Sequence, residues 1–326
     1  SFFPTSLWGA GVLFFLFFGI IKIGENMRDL LKLLPLVILF ILVFIYREPI
    51  TEYIVEKIIF SKEIYIEEPN QYALDYDFEY IKTTDDFIAD NRQEILNIIY
   101  TSLNNGYDNF YFYCHYEECQ EDVSDITEPE NLITISNYIH PYNTYRRVYV
   151  STNSFDKVEI RIEKAYTNDN INSINQRLDQ IIKEIITDDM SDKEKITVFH
   201  NYIIDNTVYD SNYLETNLND IDNPSHKALG PLFFGKALCG GYADVMAIFL
   251  DRLNIPNYRI SSSDHIWNFV YLDNNWYHLD LTWDDPVTDS GVNMRLDTFL
   301  LITTEQLENL NTNYHIYDKN VYPEAK

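Results

Sequence analysis

A cysteine, a histidine and an aspartate stand in that order along residues 239–280, and together such groups can carry nucleophilic acyl transfer. Cys239 opens the stretch CGGYADVMAIFLDRLN, where Ala243, Met246, Ala247, Leu250 and Leu253 recur at helical spacing. The cysteine therefore sits at or just before a helix N-terminus. Thiolate is the nucleophilic form of cysteine, and the positive end of a helix lowers a thiol pKa. A lone cysteine is otherwise a small buried hydrophobe; its place before Gly-Gly-Tyr-Ala is what argues for chemistry. Gly240 and Gly241 are expected to let a substrate backbone approach closely.

The partners follow in the next segment. Ile255-Pro256 ends the helix, and residues 257–261, 265–272 and 276–282 read as strands, with DNN at 273–275 as a hairpin turn. Two registers are open. If Asp273-Asn274 form the turn, Asp280 opposes Trp267 and becomes a diagonal neighbour of His265, with Cβ atoms roughly 7–8 Å apart. If Asn274-Asn275 form it, the pair slips to roughly 13 Å apart along the strand. The first register puts nucleophile, base and orienting carboxylate in reach of one another. The imidazolium would pair with the thiolate and later protonate the leaving amine, and the aspartate would fix the ring tautomer. An oxyanion hole would use the Cys239 backbone N–H and a second donor that the sequence does not identify.

These blocks resemble the transglutaminase-like superfamily, whose bacterial members share a Cys-Gly-Tyr-Ala helix start, a His-x-Trp-Asn strand and a Trp-Tyr-x-x-Asp-x-Thr-Trp-Asp-Asp-Pro segment. The matching residues are Cys239, Gly241, Tyr242 and Ala243; His265, Trp267 and Asn268; and Trp276, Tyr277, Asp280, Thr282, Trp283, Asp284, Asp285 and Pro286. Tyr209-Asp210 also looks like a Tyr-Asp pair that often precedes the motif region. The resemblance covers roughly residues 172–315. It implies a papain-like α+β fold, with the helix that starts at Cys239 packed on an antiparallel sheet, and a triad of Cys239, His265 and Asp280. Gly240 departs from the pattern, since many relatives carry a polar residue there. The triad is unaffected, but the substrate side of the pocket is blurred.

Other candidates are weaker. His278 shares a face with Asp280 and could rival His265 as base, but it does not match the family position. His200 reads as a packing or surface histidine, and His226 and His315 sit in loop-like sequence without partners at metal spacing. Asp284, Asp285 and Asp289 could hold a cation or cap a turn. No HExxH, CxxC pair or phosphate-loop pattern occurs, so neither metal nor cofactor is expected. Cys114 and Cys119 flank His-Tyr-Glu-Glu. They could form a small-loop disulfide, leaving Cys239 as the odd free thiol, or remain unpaired beside a strand.

The elements that must position these residues occupy only part of the chain. Residues 1–21 carry no charge, and Leu7–Ile21 and Leu33–Tyr46 are apolar on every face. Residues 1–48 read as a transmembrane hairpin. Its short loop, with Lys22, Arg28 and Lys32 against Glu25 and Asp29, would face the cytoplasm and leave both ends outside. Residues 49–69 read as a stalk. Residues 70–168 read as a small α+β domain without a chemical motif: TTDD at 83–86 caps a helix through Ile95, Ile98, Ile99 and Leu103, and NSFD at 153–156 joins two strands. Residues 169–326 hold the transglutaminase-like part. It opens with a helix through Ile174, Leu178 and Ile181 and a second one capped by Ser191 and Glu194.

Composition agrees with this division. The chain of 326 residues has 24 basic and 51 acidic side chains, and residues 47–326 alone carry a net charge of −28. Such a field repels phosphate backbones, so no nucleic-acid partner is expected. The expected function is that of a membrane-anchored, extracytoplasmic cysteine enzyme acting on a protein or peptide amide, its acyl-enzyme resolved by an amine acceptor or by water. The alternatives are a non-catalytic binding module that keeps the fold, or a structural part of a larger membrane assembly.

Overall fold

The computed structural model describes residues 27–47, 66–75, 78–153, 156–211, 222–287 and 294–326. It divides into two units, Ser1–Glu63 and Ile64–Lys326.

In the first unit, helix α1 spans Met27–Ile45. It starts earlier than the apolar run does. Arg28, Asp29 and Lys32, read above as loop residues, form its first turns, so the uncharged part begins only at Leu33. Among the described residues no helix is long and apolar enough to cross a membrane, which corrects the expectation for the second arm of the hairpin. The first arm, Leu7–Ile21, lies outside the described residues. From Leu36 to Tyr46 the large apolar side chains of α1 are almost all exposed.

The second unit opens with a four-stranded sheet made of Ile88–Ala89 (β1), Asn109–Cys114 (β2), Tyr145–Thr152 (β3) and Lys157–Lys164 (β4), in the order β1-β2-β4-β3. Three helices cover it: Arg92–Asn104 (α2), Cys119–Ile126 (α3) and Pro129–Ser136 (α4). The cap of α2 is Asn91, whose side chain accepts from the Glu94 N–H at 3.1 Å, and not the TTDD run. That run folds on itself, the Thr84 hydroxyl accepting from the Asp86 N–H at 3.0 Å. At the far end of α2, Gly106 has φ +76°, and a Cβ there would fall 2.0 Å from Asn70 Nδ2, so only glycine fits. Cys114 and Cys119 are joined in a disulfide.

Helices Asn168–Ile185 (α5) and Asp192–Asn206 (α6) follow, each with a complete capping box, Thr167 with Asn170 and Ser191 with Glu194. Val208–Tyr209 (β5) pairs in parallel with Lys236–Ala237 (β6), immediately before helix Cys239–Arg252 (α7). The second sheet contains Asn257–Ser261 (β7), Ile266–Leu272 (β8), Asn275–Leu279 (β9) and, after the short helix Leu281–Asp284 (α8), Leu300–Ile302 (β10). Its order is β10-β9-β8-β7, antiparallel throughout. Helix Thr304–Asn309 (α9) and a short turn at Asn313–His315 complete the fold. The class is α+β, with the cysteine-bearing helix on an antiparallel sheet.

The β8–β9 hairpin has the first of the two registers. Leu272 opposes Asn275 and Asn268 opposes Leu279, leaving Asp273 and Asn274 as the turn. Both have positive φ, 51° and 65°, as a two-residue type I′ turn requires. Strand β9 is shorter than expected. It stops at Leu279, because the Asp280 side chain caps α8 by accepting from the Thr282 and Trp283 N–H groups at 2.9 and 3.3 Å.

Alternation sends the two faces of this sheet into different cores. Val270, Leu272 and Leu279 pack with Val245 and Met246 of α7 and with Leu178 and Phe199 of α5 and α6. Tyr258, Ile260, Trp267 and Phe269 join the core built on Ile95, Ile98 and Phe112, so segments 70–168 and 169–326 share apolar contacts. Arg259 ties them further. Its guanidinium donates to Asp244 Oδ1 of α7 at 2.5 Å and to the Ser136 carbonyl of α4 at 2.6 Å, all of it buried. Deleting one partner of a buried pair strands the other charge without water. Arg259→Leu is therefore expected to lower stability by roughly 3–5 kcal/mol, read as a lower urea midpoint with an unchanged slope; a loss within about 0.5 kcal/mol would show that the pair contributes nothing.

Candidate active site

Cys239 is the first residue of α7, a free and half-buried thiol. A short turn at Pro224–His226 is laid across this helix end. The Leu238 N–H donates to the Ser225 carbonyl at 2.7 Å. A Cβ on Gly241 would lie 2.5 Å from that same oxygen, and one on Gly240 would lie 2.9 Å from the His226 carbonyl. The two glycines therefore admit the chain's own backbone, which corrects the expectation that they make room for substrate. The turn is fastened at two further points. Tyr166 accepts from the Ala228 N–H at 2.8 Å and donates to Asp244 Oδ2 at 2.6 Å. Ser225 donates to Asp210 Oδ2 at 2.6 Å. The Tyr209-Asp210 pair thus has a visible geometry: Asp210 braces the turn, while the β5–β6 pairing carries Tyr209 to the cysteine. Burial first, and then the neighbouring thiol, push the Tyr209 phenol up to about 12, so it stays a hydrogen-bond donor at neutral pH.

His265 stands just before β8 and Asp280 just after β9. His265 Nε2 is 2.6 Å from Asp280 Oδ2, both groups buried, and the Cys239 side chain is near enough to favour the charged ring. With Nε2 taken by the carboxylate, Nδ1 is the nitrogen left for the sulfur. Trp267 lies nearly parallel to the ring at 5.6 Å between centroids, and Trp283 closes another side. The structure thus brings His265 and Asp280 into contact and sets Cys239 nearby.

The other histidines have definite places. His278 is buried with both nitrogens engaged: Nδ1 accepts from Trp267 Nε1 at 3.0 Å, and Nε2 lies 3.0 Å from Thr304 Oγ1. Burial, with the His315 ring next, pushes it down to about 3, so it is neutral and committed to packing. His200 is fully buried and meets Asp284 Oδ2 at 3.1 Å. His315 is the residue that sequence reasoning missed. Its Nε2 lies 2.8 Å from Asp280 Oδ2, the oxygen that also holds His265. Nothing in the local spacing signals this, because only the return of the chain after α9 brings it in.

The acidic residues after β9 do not gather around a cation. Asp284 faces His200 and the Phe299 N–H, while Asp285 accepts from the Tyr242 hydroxyl. Burial pushes Asp285 up to about 6, with the tyrosine pulling the other way. Asp289 lies outside the described residues. His265, Asp280 and His315 do offer three ligand atoms within 4.8 Å of one another. Their N···O separations of 2.6 and 2.8 Å are those of shared protons; ligands of a tetrahedral zinc stand about 3.3 Å apart.

Electrostatics favour an ion pair at the site. Burial alone would lower the His265 pKa, but the Asp280 charge and hydrogen bond, followed by Cys239, outweigh it and raise the imidazole to about 10. Asp280 is held below the usual carboxylate range: burial works against its charge, and His265 and His315 together overcome that. His265 is therefore expected to keep its proton through neutral pH and release it near pH 10. In Asp280→Asn the largest opposing contribution disappears, and the midpoint should drop toward or below the ordinary imidazole value of about 6.5. The His265 ring Cε1–H signal read by NMR against pH measures this, and a midpoint near 10 in both proteins would contradict it.

Residues 179–281 match the transglutaminase-like superfamily. Among curated proteins, none matches the chain. A solved structure described as a crystal structure of a TGase is similar at 16% identity, covering 65% of this chain and 61% of that one, with a TM-score of 0.33. The chain thus spans less than two thirds of that protein's length. The span that matches the superfamily, residues 179–281, includes Cys239, His265 and Asp280.

Proposed function

We propose that the protein is a cysteine enzyme acting on amide bonds of proteins or peptides, with Cys239 as nucleophile, His265 as acid and base, and Asp280 as the group that orients the imidazole. One observation carries this reading: a free thiol at a helix N-terminus stands near a histidine whose Nε2 is 2.6 Å from a buried carboxylate. The Cys239 thiolate attacks the amide carbon, and the C–N bond breaks as His265 gives its proton to the departing nitrogen. The resulting thioester is then attacked by a primary amine or by water, which returns its proton to His265 and frees the thiolate. The Cys239 N–H at the start of α7 and the Tyr209 hydroxyl are the donors offered to the developing oxyanion.

The proposal extends to location. The disulfide between Cys114 and Cys119 suits an oxidising compartment and leaves Cys239 as the free thiol. The exposed apolar side chains of α1 between Leu36 and Tyr46 would be covered by lipid, which would tether the chain to a membrane. The acidity of the chain would also concentrate cationic amine acceptors near the thioester.

Iodoacetamide alkylation of the whole protein between pH 5 and 9, with the adducts located by mass spectrometry, tests the nucleophile. Fast labelling of Cys239 near pH 6, lost in His265→Ala, is the expected result. Labelling that rises only near the ordinary thiol value of about 8.5 would overturn the ion pair. Glutamine-containing peptides offered with and without a fluorescent primary amine separate transfer from hydrolysis. Cys239→Ala should abolish both, and Asp280→Asn should slow them by on the order of 10⁴-fold while leaving the fold intact.

A further inference from the structure

The contacts of His315 are those of a built position. Asp280 offers two oxygens, and each takes two donors. Oδ1 accepts from the Thr282 and Trp283 N–H groups, and Oδ2 from His265 Nε2 at 2.6 Å and His315 Nε2 at 2.8 Å. A carboxylate only accepts, so His315 Nε2 carries a proton. Its Nδ1 lies 2.5 Å from Thr312 Oγ1, and in the neutral ring that nitrogen accepts from the hydroxyl. Stacking fixes the ring plane: Phe299 lies 5.0 Å away at 17°, and Trp283 meets it edge-on at 5.1 Å. The Phe299 carbonyl in turn accepts from the Asp280 N–H at 3.1 Å.

We propose that His315 is a positioning residue of this site, donating a second imidazole N–H to the Asp280 oxygen that holds His265 and thereby setting both the direction of that carboxylate and its pull on the His265 proton. The inference rests on the acyl-transfer reading of Cys239 and adds to it a residue beyond the family core at 179–281. Two donors on one oxygen weaken each other's hold. Without His315, Oδ2 would belong to His265 alone, so its proton would be held more tightly. The carboxylate would also be free to turn, and the imidazole would spend less time aimed at the sulfur. Four other groups face the cluster, namely Cys239 from α7, Tyr209 from β5, His278 from β9 and Asp284 from α8; of these His278 feels the His315 ring directly, and burial, the larger cause, keeps it neutral with or without that ring.

The test uses the full chain with two readouts, the NMR midpoint of His265 and the rate of Cys239 alkylation by iodoacetamide at pH 7. In His315→Phe the midpoint should rise and alkylation should slow by about tenfold or more. In His315→Gln, whose amide can donate to Asp280, both should return toward wild type. Thr312→Val, which removes only the hydroxyl on Nδ1, should move the midpoint in the same direction by less, and it serves if the phenylalanine variant does not fold. A midpoint unchanged in folded His315→Phe, or in Thr312→Val in its place, overturns the proposal and leaves His315 as packing. The midpoint is readable whether or not Cys239 reacts. Slow, ordinary-thiol labelling of wild type with a midpoint that still moves would overturn the acyl-transfer reading alone and support the hold of His315 on Asp280.

Discussion

One carboxylate is kept charged where there is almost no water. Asp280 is 2% exposed, and an ionised carboxylate buried without donors would simply take up a proton. Four donors prevent this: two backbone N–H groups of the helix it caps and two imidazoles from different parts of the chain. Each donor imposes a demand on the fold. The hairpin must have the register that brings His265 back beside Asp280, β9 must stop at Leu279, and the segment after α9 must return to deliver His315. The cysteine adds a demand of its own, since the Pro224–His226 turn packs against the glycines that follow it at the start of α7.

The Asp-Asp pair after Trp283 does related work with different partners. Asp284 links His200 of α6 to the backbone that leads into β10, and Asp285 fixes the Tyr242 hydroxyl on α7. These aspartates hold three elements around the short α8, so that the loop supporting Asp280 cannot drift. A motif that looks like a cation site in one dimension is a set of struts in three.

What was legible in the sequence was local. The Ser191–Glu194 capping box, the amphipathic spacing of α5 and the Asp273-Asn274 turn depend on residues a few positions apart, and each appears as expected. The contact between His265 and Asp280 was legible for the same reason, because a two-residue turn fixes where the facing strand ends. Longer-range features were not. The glycines after Cys239 answer to the carbonyls of residues 225–227, and nothing near them announces that neighbour. The first turns of α1 took in charges that looked like a loop, since Arg and Lys are good helix formers. His315 meets Asp280 across 35 residues of chain, beyond the reach of any periodicity.

That separation also has a consequence for synthesis. A nascent chain displays Cys239, His265 and Asp280 well before residue 315 has left the ribosome. During that interval the carboxylate has at most three of its four donors, and Phe299 lacks the ring it stacks upon in the finished fold. The thiol is thus translated ahead of the network that completes its surroundings. The segment after α9 is the last part of the Asp280 network to be synthesised.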